Sequence, residues 1–174
     1  METATSPQII LDRHTPSEAQ PLMGTSWFGP NDDCVAKIIE RIDAAYDALY
    51  GLIATYQLGP IHDALIAKIP DLDEMILIFD RFNALPGKPF LLELQAAGAV
   101  VMIDRHERSI RSQYFITSPR WTVTGSYLWA PNFADDYASD LQIMDYISEW
   151  YAHRSNFWYH QGHSELYTDP WPPD

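Results

Sequence analysis

The residues best suited to chemistry in this chain are its histidines, six in all. His153, His160 and His163 lie close together in the sequence. A zinc site needs three or four ligands in tetrahedral reach, and the spacing of His160 and His163 puts both on one side of a helix. Surface histidines at a polar helix end are the simpler expectation, so no metal and no cofactor is expected. His106, in Asp104-Arg105-His106-Glu107, offers an imidazole that is a nucleophile or base when neutral; a solvated loop is the plainer alternative. Arg111 and Ser126 suggest another chemistry if the fold brings them together, because an arginine fork with a hydroxyl can hold a phosphate or carboxylate. Against that stands an Arg111 neutralised by a nearby acid such as Asp104 or Asp140.

Hydrophobic periodicity supplies the elements that must position these groups. Asn31-Asp32-Asp33 reads as a helix cap before Val35, Ile38, Ile39, Ile42, Ala45 and Tyr46, whose spacing draws one apolar stripe. Leu49 to Gln57 suits a buried strand, broken by Gly59-Pro60 and followed by a short helix from Ile61 to Ile69. Met75 to Phe79 is a continuous apolar run closed by Asp80, so strand, helix and strand predict a right-handed parallel crossover. A helix over Phe90 to Ala97, opened by Pro89 and ended by Gly98, leads to a strand over Ala99 to Ile103. Gln113 to Ile116 and Trp121 to Tyr127 suit two strands joined by Ser118-Pro119-Arg120, and Leu141 to Met144 a last short one. Tyr146 to His160 predicts a helix whose aromatic stripe of Trp150, Tyr151, Phe157 and Trp158 faces the core.

A domain is therefore expected over residues 25–160, after an N-terminal arm over 1–24 with a possible short strand at Ile9-Ile10-Leu11, and before an extended tail over 161–174. Trp171 among the prolines of that tail suits a frayed end more than a docking peptide. At 174 residues and 47% hydrophobic content, one domain with a real core is expected. The net charge of −13 repels nucleic acid and anionic lipid, which favours a protein partner or a small ligand. Cys34, the single cysteine, permits no intrachain disulfide. No secretory pattern and no apolar run of spanning length is seen, so a cytoplasmic location and no membrane span are expected.

Several local strings, taken in order, resemble the single-domain branch of the phospholipase D superfamily, the small bacterial endonucleases and their mitochondrial relatives. Phe28-Gly29-Pro30-Asn31-Asp32 is similar to the family's opening strand and helix cap. Leu91 to Val101 is similar to its helix leading into the strand before the active site. Thr124-Gly125-Ser126-Tyr127, followed by Trp129, resembles its Thr-Gly-Ser-Tyr-Asn-Trp strand. The resemblance covers about Trp27 to Tyr159 and implies an α/β fold, a phospholipase D-like mixed β-sheet flanked by helices on both faces.

It also implies where catalysis would sit. The family uses a His-x-Lys-x4-Asp motif before the Gly-Ser strand, in which the His forms a phosphohistidine, the Lys holds phosphate oxygens and the Asp supports both. Counting back from Gly125-Ser126 puts Arg111 at the His position, Gln113 at the Lys position and Ser118 at the Asp position. Arginine stays protonated and is no nucleophile, and Gln113 brings no charge to a phosphoryl group. Leu128 replaces the Asn after Gly-Ser-Tyr, and Ser139-Asp140 stands where a Glu or Asn pair is expected. Asp135, Asp136, Asp140 and Asp145 would add negative charge near the cleft mouth. Single-motif members pair two chains about a twofold axis, which implies a homodimer or a subunit of a larger assembly.

The expectation is a catalytically inactive, phospholipase D-like binding or scaffold protein. One alternative is a phosphodiesterase rebuilt around His106, His62 or an acid. Another is an acidic nucleic-acid mimic that blocks a DNA-binding protein, which only the net charge supports.

Overall fold

A computed structural model describes residues 24–29, 32–57, 59–82, 89–106, 108–118, 120–127, 129 and 139–168. The short strand expected at Ile9 to Leu11, Leu128, Asp135, Asp136 and Trp171 lie outside these residues.

The first strand, β1 (Gly24–Gly29), enters α1 (Cys34–Asp43), where the Asp33 carboxylate accepts the Ala36 N–H at 2.9 Å and caps the helix. Of the stripe expected there, Ile38, Ile42 and Ala45 are buried and Val35 and Ile39 half-buried, whereas Tyr46 lies beyond the end of the helix and is exposed. Next come β2 (Ala48–Ile53), α2 (Pro60–Lys68), a 3-10 turn (Ile69–Asp71), β3 (Glu74–Asp80), α3 (Pro89–Ala97) and β4 (Val100–Asp104). β2, β3 and β4 are mutually parallel, as the strand and helix order predicts. The chain then reverses through β5 (Tyr114–Thr117), β6 (Trp121–Gly125) and β7 (Ser139–Met144), crosses the sheet as α4 (Ile147–Gln161), and finishes in β8 (Ser164–Leu166). The described strands form one mixed eight-stranded sheet in the order β1-β7-β6-β5-β2-β3-β4-β8.

Strand side chains alternate between two cores. Leu49, Leu77, Phe79, Val101, Ile103, Phe115 and Val123 face α1, α2 and α3. Leu52, Ile76, Ile78, Met102, Tyr114 and Ile116 face the other way, toward Phe157 of α4. Gly51 lies where a Cβ would come within 2.9 Å of Leu77 Cδ2, so the strand glycine makes room for its neighbour's leucine.

The structure alters three expectations. β2 ends at Ile53 rather than Gln57: the Thr55 N–H turns to the Gln113 side chain, and Tyr56 bridges to Trp129 outside the named strands, its ring 5.3 and 5.0 Å from those of Phe79 and Phe90. Tyr151 is 55% exposed, so the buried stripe of α4 is Phe157 with half-buried Trp150 and Trp158. The tail expected from residue 161 adds β8 antiparallel to β4, and buried Tyr167 donates its N–H to the Val101 carbonyl at 2.9 Å.

Candidate functional site

The carboxyl ends of parallel strands are where open α/β sheets place ligands. Here the ends of β2, β3 and β4 share one edge of the sheet with the start of β5, the end of β6 and the start of β7. That edge gathers Arg111, Gln113, Gly125, Ser126, Ser139 and Asp140. Ser118 stands at the opposite end of β5, its N–H bonded to the Ala48 carbonyl, roughly 17 Å along the strand from Gln113.

Gln113 is 4% exposed and braces three chain segments. Its Oε1 accepts the Thr55 N–H at 3.1 Å, and its Nε2 donates to the Tyr127 carbonyl at 3.4 Å. Its own carbonyl accepts the Thr124 hydroxyl at 3.2 Å. A lysine has three donors and no acceptor, so it cannot reproduce the bond to Thr55. Arg111 is exposed and has no ion pair with a described residue.

Neither acid weighed as an Arg111 partner is paired with it. Asp140 accepts the Ser126 hydroxyl at 2.5 Å and the Ser126 N–H at 3.0 Å, and its own N–H donates back to Ser126 Oγ at 3.0 Å. The Ser126 hydroxyl bond, then the Ser126 N–H, hold the Asp140 carboxyl below its ordinary range. This reciprocal pair engages the Ser126 N–H and hydroxyl with Asp140 rather than with Arg111. Gly125 has φ +149°, and a Cβ there would collide with the Asp140 carbonyl oxygen, which explains the glycine before Ser126. The Ser139 hydroxyl is buried without a hydrogen-bond partner among the described residues.

The other sequence candidates are dispersed. His62 is buried, with Nδ1 2.9 Å from the Tyr56 hydroxyl and Nε2 3.1 Å from Glu93, so it ties α2 to α3. Burial first, then the charges of Asp63 and Glu93, push the Tyr56 phenol far above its ordinary range. Asp145 pairs with Arg120 at 2.9 Å at the far end of β7, away from the expected cleft mouth. His106 lies in the loop after β4 and accepts the Arg108 N–H. His153 is held apart from the other two C-terminal histidines by its contact with the Glu149 carbonyl and its edge-on packing against Tyr114. His163 lies beyond the end of α4, so it does not share a helical face with His160.

Two features escaped sequence reasoning. Ser112, Tyr114 and Thr124 face Ala152, His153 and Asn156 of α4 across an open pocket of about 260 Å³. The polar side chains on α4 gave the only sequence signal for it. Asp104, at the end of β4, meets His160 and His163, a meeting made by the pairing of β8 with β4.

Comparison with solved structures gives the fold its class. Nuc, a phospholipase D family member from Salmonella typhimurium, matches with a TM-score of 0.76 at 12% identity, over 83% of this chain and 97% of its own. NucT from Helicobacter pylori matches at 0.72 with 13% identity, over 83% and 98%. TrmBL2, an archaeal chromatin protein with a novel mode of DNA binding, matches at 0.61 with 9% identity, over 83% of this chain and 53% of its own. No protein-family model and no curated protein sequence matches the chain. The fold is phospholipase D-like, as in Nuc and NucT, with the described strands in one eight-stranded mixed sheet between helices on both faces.

Proposed function

We propose that this chain is a binding or scaffold protein with a phospholipase D-like fold and no phosphohistidine chemistry. The observation that carries the reading is Gln113. At the position implied for the phosphate-holding lysine, its amide is consumed by backbone bonds to Thr55 and Tyr127. Arg111, at the position implied for the nucleophile, carries a permanent positive charge. Asp140 occupies Ser126 and places a negative charge where a phosphate would arrive.

The partner is a protein, a second copy of the chain or a subunit of a larger assembly. Two features support this. Phe28 of β1 is 59% exposed, and Ile147 and Tyr151 of α4 are 49% and 55% exposed, giving apolar surface for an interface. The fold also serves a chromatin protein, so it supports binding roles. A phosphodiesterase rebuilt on His62 gains no support, because both ring nitrogens are already engaged.

The test is turnover of a generic phosphodiester and of single- and double-stranded DNA with EDTA present, alongside light scattering on a sizing column. No turnover together with a stable dimer is the expected result. Turnover that disappears on Arg111→Ala or His106→Ala would overturn the reading.

A further inference from the structure

Asp104 is 2% exposed and closes β4 at the carboxyl edge of the sheet. His160 Nδ1 lies 2.6 Å from its Oδ2, and His163 Nε2 lies 3.3 Å from its Oδ1. The His163 Nε2 is shielded from solvent and, despite that closeness, lacks the alignment of a hydrogen bond. One ligand atom from each of the three residues falls within 4.8 Å of the others, the one such group among the described residues.

We propose that Asp104, His160 and His163 form a site for a zinc-like divalent transition metal. Two imidazoles and one carboxylate are the donor set such an ion prefers over calcium or magnesium, which take all-oxygen shells. At bond lengths of about 2.0–2.2 Å, ligand atoms around a tetrahedral ion stand about 3.3 Å apart. The observed separations reach that geometry with side-chain shifts of about an ångström. Asp80, also buried, pairs in register with Asp104 on the neighbouring strand and adds negative potential. The Arg105 cation beside the cluster is balanced by Glu165 at 2.8 Å. The site is held ready by its surroundings: the His106 N–H donates to Asp104 Oδ1 at 2.7 Å, and the Tyr159 ring packs against both histidines. A fourth position remains for water or for the His106 ring, whose centroid is 5.5 Å from that of His163.

This site is separate from the degenerate motif. Three strand spacings, roughly 14 Å, divide β4 from β5. The proposal therefore does not depend on whether the chain is catalytically silent.

The experiment uses the full chain without a histidine tag, stripped with EDTA and dialysed, then titrated with zinc chloride in a calorimeter. Cobalt is titrated in parallel for its visible spectrum. One ion per chain with a dissociation constant in the micromolar range or tighter is expected, with tetrahedral cobalt bands. His163→Ala and His160→Ala should each weaken binding at least tenfold, whereas His153→Ala should leave it unchanged. Asp104→Asn risks misfolding because the carboxylate also caps the His106 loop, so the less deeply buried histidines carry the test. Absence of stoichiometric binding, or equal binding by the His163→Ala chain, would overturn the site.

Discussion

At the scale of single residues, Gln113 gives the sharpest expectation. Gln113→Lys removes the acceptor for the Thr55 N–H and puts an ammonium where the wild-type side chain is 4% exposed. An unsatisfied buried donor costs about 1–3 kcal/mol, and a poorly paired buried charge adds to it. Urea unfolding should therefore show a loss of about 2–4 kcal/mol. Gln113→Met keeps the volume but loses both bonds, and should fall between the two. A lysine variant as stable as wild type would mean that the brace between Thr55 and Tyr127 contributes little.

At the scale of elements, α4 is, among the described residues, the helix packed on the second face of the sheet, and its contributions are unequal. Phe157 is fully buried against Tyr50 and Trp158, with ring separations of 5.3 Å to each, whereas Tyr151 points outward. Phe157→Ala should cost about 3–5 kcal/mol, and Tyr151→Ala less than about 0.5 kcal/mol in the isolated chain. Thermal unfolding of the two variants checks the contrast. The same helix marks the limit of what the sequence conveyed. Its existence was legible from Ile147, Trp150 and Trp158, but Tyr151 occupies a neighbouring angular position and was assigned to the wrong side. The parallel crossovers were legible because Met75 to Phe79 has the unbroken apolar run of a strand buried on both faces. The end of β2 was not, because Tyr56 is as good a strand residue as any, and its change of partner to Trp129 is a long-range pairing that local pattern does not carry. Nor was the meeting of Asp104 with His160 and His163, because β8 brings together groups more than fifty residues apart.

For the whole molecule, the charge of −13 is the dominant long-range term. Few of the described acids are paired with lysine or arginine, so the folded chain repels itself. Moving from about 0.01 to 0.15 M salt shortens the Debye length from about 30 to about 8 Å. The melting temperature should rise by a few degrees over that range, as scanning calorimetry would record. A melting temperature that is flat or falls with salt would mean that attractive pairs, rather than net repulsion, set the electrostatic balance.

On the proposed reading, the Gln113 brace also bears on how readily such a protein could gain phosphoryl chemistry by mutation. A lysine alone at that position strands a backbone donor, and a histidine alone at position 111 has no lysine to hold the substrate. Each single step is unrewarded, and one of them is destabilising. Only a concerted change that also rehouses the Thr55 N–H and the Tyr127 carbonyl leads to a working site. In evolutionary terms the glutamine acts as a ratchet: one hydrogen-bonded amide makes a nearby activity hard to reach by point mutation.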